Sequence, residues 1–237
     1  CGGNALDTAH VYARWLPGGE GASEKTLGAW LTERGVRDSA VVCTKGGHPD
    51  LESGRKRLSA RLLSQDLAES LDRLRTDRVD LYWLHRDDPD IPVSDILGWL
   101  GDFVDRGLVA AVGCSNWTTD RIEEARGASS RLGLPFFAAS QIGWSLAAVR
   151  EGVGADTDMI YMDERTGAYH RRRRLPVFAY SSQAQGFFKG IPEPDGIVGV
   201  RPGVLARYDT DANRRRLTEV RRMSRELGCT PNQVAIA

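Results

Sequence analysis

The chain carries no net charge: 32 lysine and arginine residues balance 32 aspartate and glutamate residues. That removes any electrostatic reason to expect nucleic acid or an anionic membrane as partner. The run Arg171–Arg174 is a local exception, and a solvated helix face accounts for it. No apolar run approaches the ~18 residues of a membrane span. No signal-peptide pattern opens the sequence, which says little because the sequence reads as cut at its start. The four cysteines, Cys1, Cys43, Cys114 and Cys229, show no CxxC spacing. Cys43 and Cys114 fall in apolar, strand-like runs, where a thiol acts as a small hydrophobe. A reducing, cytoplasmic compartment is expected. The histidines show no HxH or HxxxH pattern, and His10, His48 and His170 have no partners at ligand spacing, so no metal site is expected. Also missing is a GxGxxG after a strand, which argues against a classical dinucleotide-binding domain.

Short apolar runs alternate with longer amphipathic ones. "NALDTA", "AVVCTK", "VDLYWLH", "LVAAVGCSN", "FFAASQ" and "LPVFAYS" read as six strands. Between them lie helical patterns: Leu27, Trp30 and Leu31 on one face, then Leu58, Leu62, Leu67, Leu71 and Leu74 at steps of three to five. A third helix carries Ile96, Leu97, Leu100, Phe103 and Val104, with Ser94 as its expected cap and Gly107 just past its end. The segments 146–174 and 186–203 read as long loops. Strands apolar along their whole length fit a parallel sheet covered on both faces. The expected fold is α/β, a (β/α)8 TIM barrel supplied here with six central strands, and residues 1–237 read as a single domain.

In such a barrel the C-terminal strand ends and the following loops form the active face. The polar residues there are Asp7, Lys45, His85, Ser115 with Asn116, Gln141, and Tyr180 with Ser181; Tyr12 follows Asp7 in the first loop. A lone strand-end histidine or lysine more often caps or pairs than catalyses. Six consecutive strands delivering polar groups to one rim make coincidence a poor explanation. Asp, Tyr, Lys and His together form a proton-donating kit. Tyrosine titrates near ~10 and needs a neighbouring cation to act as an acid at neutral pH. Lysine paired with aspartate supplies the cation, and histidine can orient a carbonyl oxygen. No side chain supplies a hydride, so a nicotinamide would have to.

The segments "LDTAHVY", "VVCTK", "VDLYWLH", "AVGCSNW", "SQIGWSL" and "VFAYSSQAQGFF", in this order, resemble the signature segments of the aldo-keto reductase family along essentially the whole chain. The resemblance implies a tetrad of Asp7, Tyr12, Lys45 and His85, with Tyr12 as general acid. It implies NADPH across the barrel mouth, NADH not being excluded. Ser115, Asn116 and Gln141 match residues that bond the carboxamide, and Tyr180 matches the aromatic that stacks on the nicotinamide. Ser181, Gln183 and Gly186 belong to the segment matching the pyrophosphate loop. The implied partner is a small carbonyl or alcohol. Two departures stand out. "ARWLPGGEGA" after Tyr12 is longer than the family's short glycine link, placing Trp15 over the mouth or in plain packing. Ser182 and Gln183 stand where Pro and Leu are common. Trp117 and Trp144, just beyond cofactor-matching positions, are either pocket-lining or packing residues. Glu24 is expected to open a helix, where a carboxylate suits the dipole.

Two rival functions remain at this stage: a cofactor-binding sensor subunit with little turnover, and a metal-dependent barrel hydrolase. Nothing in the sequence speaks to oligomeric state. A closed barrel of this class needs eight strands, so the sequence is expected to be part of a longer chain, with a strand before Cys1 and another after "TPNQVAIA".

Overall fold

A computed structural model describes residues 2–153, 158–194 and 196–237. Contacts divide the chain into two units, residues 1–140 and 141–237.

The first unit is built on parallel strands β1 (Ala5–Asp7), β2 (Val41–Gly46), β3 (Val79–Leu84) and β4 (Val109–Ser115). Strands of the sheet follow chain order. Register aligns Asp7 with Cys43, Lys45 with Trp83, and Trp83 with Gly113. Parallel partners share a face and side chains alternate, so Asp7, Cys43, Lys45 and Trp83 all project to one side. Gly113 is required there: a Cβ on it would run into the Trp83 ring. Helices α1 (Ala22–Arg34), α2 (Ala60–Leu74), α3 (Val93–Asp105) and α4 (Thr119–Leu132) connect the strands. The apolar stripe of α2 buries Leu63, Leu67 and Leu74, and Ser59 caps it by accepting from the Leu62 N–H. Helix α3 buries Ile96, Leu97, Leu100 and Phe103, and Gly107 just beyond it takes φ 71° as expected of a C′ glycine. The expected cap differs. Helix α3 starts at Val93 after Pro92, with no side-chain cap, and the Ser94 hydroxyl lies 3.3 Å from Asp95. Proline, its φ already at −55°, takes the cap position two residues before serine would.

Strand β5 (Ala139–Gly143) begins in the first unit and ends in the second. The second unit continues with α5 (Glu164–Arg173), β6 (Val177–Tyr180), the hairpin β7 (Ile191–Glu193) and β8 (Gly196–Val198), and helices α6 (Pro202–Tyr208), α7 (Asp211–Leu227) and α8 (Pro231–Ile236). Its core gathers Phe187, Phe188, Ile197, Val204, Tyr208, Leu217 and Val220. Two expected loops are thereby corrected. The first contains α5, capped by Asp163, which accepts from the Thr166 N–H at 2.7 Å. The helix lacks an apolar stripe, and positions 154–157 of that stretch lie outside the described residues. The second contains β7–β8 and the start of α6. Three-residue strands are too short for alternation to show. Arg171–Arg174 are exposed at the end of α5, the solvated face expected of them.

Candidate functional site

Four side chains meet at the strand ends of the first unit. Lys45, 1% exposed, donates from Nζ to Asp7 Oδ2 at 2.5 Å and to the Thr8 carbonyl at 2.7 Å. The second Asp7 oxygen accepts from Trp83 Nε1 at 3.1 Å, so the Gly113–Trp83 fit fixes the carboxylate's direction. The Lys45 ammonium lies 4.7 Å from the centre of the Tyr12 ring. That ring is edge-on to His85 at 5.8 Å and to Trp15 at 6.4 Å between centroids.

Tyr12 sits in a stiff loop. Consecutive turns bind Tyr12 N–H to Ala9, Arg14 to Val11, Leu16 to Ala13 and Gly19 to Leu16. Ala13 is held at φ 72°, a left-handed conformation that costs a non-glycine residue energy. Trp15, 63% exposed, projects from this loop beside Tyr12.

His85 is 6% exposed, and its Nδ1 has no hydrogen-bond partner among the described residues. Burial, then the nearby charges of His48, Lys45, Arg86 and His10, hold its pKa well below the ordinary imidazole value. The His48 ring stands edge-on 4.7 Å away, and burial lowers its pKa too. Both rings are therefore neutral at pH 7. The unfolded chain takes up protons near pH 6.5 while the folded one resists, so acid favours unfolding. This pair is expected to cost stability as pH falls below ~6.5, by at most ~1.4 kcal/mol per pH unit for each ring. Urea unfolding at descending pH should show a shallower acid-side loss in His85→Gln than in the parent. Equal slopes would contradict the assigned neutrality.

Ser115 and Asn116 end β4, both buried. Asn116 takes φ 59° and donates from Nδ2 to Ser115 Oγ at 3.0 Å. The neighbouring thiol of Cys114 is buried and pushed well above its usual range by desolvation, which leaves it a packing group. Burial likewise raises Cys43 to about 12. Trp117 is 1% exposed, edge-on to Phe137 at 5.0 Å with the Arg121 guanidinium 5.4 Å over it. Of its two expected roles, this is packing.

In the second unit, Gln141 is 5% exposed in β5. Tyr180 ends β6, its ring 6.4 Å from that of Tyr161 and its carbonyl accepting from the Trp144 N–H. The next turn is left-handed at Ser181, Ala184, Gln185 and Gly186, with the Ala184 and Gly186 N–H groups donating to the Ser181 and Gln183 carbonyls. Gln183 is exposed, its Oε1 accepting from Asn232 at 3.3 Å. Trp144, 50% exposed, lines a cavity of about 820 Å³ with Ser181, Ser182, Tyr161 and Tyr208.

Sequence reasoning missed a polar network behind the tetrad. Glu24, expected only to open α1, is fully buried: it accepts from Thr44 Oγ1 at 2.6 Å and pairs with Arg73 at 3.4 Å. Arg73 also pairs with Glu69, which accepts from His10 Nε2 at 2.8 Å. Asp66 accepts from the Gly47 N–H and from Arg57. The available signal was Asp66 and Ser70 falling inside the apolar stripe of α2. Among the described residues no group of three or more His, Cys, Asp or Glu is placed to hold a metal ion, and no helix is long and apolar enough to cross a membrane.

A family model described as "Aldo/keto reductase family" matches residues 1–237. An Arabidopsis thaliana protein named "Probable voltage-gated potassium channel subunit beta" is 29% identical over 247 residues, covering 100% of this chain and 70% of the relative. The "6-dehydroglucose reductase" of Novosphingobium aromaticivorans is 37% identical over 121 residues, covering 50% of this chain and 39% of the relative. Among solved structures, an aldo/keto reductase from Klebsiella pneumoniae, described in complex with NADP and acetate, superposes with a TM-score of 0.64 at 21% identity. The match covers 98% of this chain and spans 64% of that one. The likeness shows the fold: α/β, six parallel strands of a partial (β/α)8 barrel.

Proposed function

Because the chain belongs to the aldo/keto reductase family, we propose that it interconverts an aldehyde or ketone with its alcohol, using NADPH, with NADH as the lesser candidate. The observation that carries this reading is the buried Lys45 ammonium set between Asp7 and the Tyr12 ring. A bound nicotinamide would supply the hydride. Tyr12 gives the proton to the carbonyl oxygen, and the phenolate left behind forms beside Lys45. Asp7 holds Lys45 in place. His85, neutral, serves best with its proton on Nε2 as a donor to the same oxygen, since Nδ1 has no acceptor to give one to.

The chain's own groups suit the cofactor. Ser115 and Asn116 offer a hydroxyl and an amide at the end of β4, and Gln141 an amide within β5, groups of the kind that complement a carboxamide. The turn from Ser181 to Gly186 is assigned to the phosphates by the family resemblance; its Ala184 and Gly186 N–H groups close the turn on the Ser181 and Gln183 carbonyls, and Gly186 holds its left-handed φ of 90°. Gln183 and Gly186 serve there by holding the turn, the Gly186 N–H donating to the Gln183 carbonyl. Trp15 and Trp144 are the assigned pocket aromatics, and Trp117 takes the packing role among Phe137 and Arg121. The same reading takes residues 1–237 as part of one barrel domain.

Mixing the protein with NADPH and a reactive aromatic aldehyde should consume reduced cofactor at a rate that depends on both. No reaction across aldehydes, ketones and sugars overturns the proposal. A second reading, a cofactor-binding regulatory subunit, is favoured by one observation: relatives matched along 100% of this chain are named as potassium channel beta subunits. It expects tight cofactor retention with negligible turnover in the same assay.

Tyr180→Ala removes an aromatic face and leaves the tetrad intact. Cofactor affinity is expected to fall by about 1 kcal/mol, roughly fivefold in Kd, by fluorescence titration. Unchanged affinity would transfer the stacking role to Trp144.

A further inference from the structure

We infer that His10 is a positioning residue for Tyr12, its side-chain bond to Glu69 clamping the acid's loop onto α2. The inference rests on the reading of Tyr12 as proton donor. His10 lies two residues before Tyr12, and its ring, 6% exposed, is turned down towards α2. Nε2 meets Glu69 Oε2 at 2.8 Å; because an ionised carboxylate only accepts, Nε2 carries the proton. Asp66 lies 3.9 Å from Nδ1 on the same helix. Glu69 is fixed in turn by Arg73 at 2.9 Å and Gln65 at 2.9 Å. Arg73 reaches back to the His10 carbonyl at 3.4 Å, so the residue is gripped by both its side chain and its backbone.

The same residue joins the acid to its cation. Its N–H donates to the Lys45 carbonyl at 3.0 Å, while the Thr8 N–H donates to Cys43 at 2.9 Å. Tyr12 then follows through one turn, its N–H on the Ala9 carbonyl at 3.0 Å. Any rotation of His10 is therefore passed to Tyr12 within two residues, while Lys45 stays with its strand. A shift of ~1 Å between reacting groups can cost on the order of 10²-fold in rate. Without the clamp, His10 is held only by these backbone bonds and by Arg73 at its carbonyl. The Glu69 carboxylate, held below its usual range chiefly by the His10 bond, stays ionised and available as acceptor.

The test compares His10→Ala with His10→Gln, whose amide can reach the place of Nε2. In the full chain with NADPH and an aromatic aldehyde, His10→Ala should lose roughly tenfold to a hundredfold in kcat, with aldehyde KM and cofactor Kd within about twofold of the parent. His10→Gln should restore most of the rate. Amide hydrogen exchange should quicken at His10 and Tyr12 in His10→Ala and return to parental protection in His10→Gln. Unchanged exchange in His10→Ala overturns the clamp whether or not the parent turns over. So does an equal loss of kcat in both variants, since any disturbance of the site would then suffice. A parent without turnover overturns the reductase reading instead, and exchange alone decides the clamp. Should His10→Ala fail to fold, Glu69→Ala removes the acceptor from a partly exposed helix position, and the same loss and quickened exchange are expected.

Discussion

Tyr12→Phe is expected to reduce turnover at least a hundredfold, the lower end of what a positioned general acid contributes. The substitution deletes one hydroxyl and keeps the ring. The ring's contacts with His85 and Trp15, and the Lys45 charge near its face, do not depend on that oxygen. The loop's own turns are made by the backbone and persist with any side chain at position 12. The loss should therefore appear in kcat, with cofactor affinity unchanged, because none of the cofactor-matching positions is touched. Single-turnover measurements at saturating NADPH isolate the step. A near-normal rate would show that another group delivers the proton, and His85 would be examined next.

The strands could be read from the sequence because burial on both faces makes a parallel strand apolar throughout: "VDLYWL" is buried at all positions but Asp80. Asp7, Lys45 and His85 stood out for the same reason, as polar residues ending such runs, whereas Tyr12, in the loop after Asp7, was singled out with them by the family resemblance. Where burial is shallow the signal disappears. Helix α5 is mostly charged and polar, with Tyr169 its only large apolar side chain, so no period marks it. The β7–β8 pairing joins Ile191 to Val198, a contact set by chain reversal rather than by pattern. The network of Glu24, Thr44, Glu69, Arg73 and His10 was invisible for another reason. A charged residue on a helix reads as solvent-facing, and only the fold shows that Glu24 on α1 and Arg73 on α2 meet beneath the Tyr12 loop. The stiffness of the site lies in what single-residue reasoning passes over.

Lys45→Met is expected to be as damaging as loss of the phenol itself. The side chains are similar in length, so the change removes a charge more than a volume. A cation 4.7 Å from the ring centre stabilises a developing phenolate by on the order of 3 kcal/mol at an effective dielectric near 20, which is roughly a hundredfold in rate. The fold should bear the substitution less evenly. Asp7 is 34% exposed at its side chain and keeps the Trp83 N–H, so water can replace the lost ammonium. The Thr8 carbonyl loses a partner in a buried setting, at a cost of ~1–3 kcal/mol in stability. Thermal unfolding then separates the two effects: a folded, cofactor-binding variant with at least a hundredfold lower kcat attributes the loss to charge. A Lys45→Met protein that kept more than about a tenth of the parent rate would mean the proton transfer does not feel this ammonium, because the Coulomb term alone predicts a larger loss. Lys45 would then be a structural tie between β1 and β2, and Tyr12 would need its acidity from elsewhere.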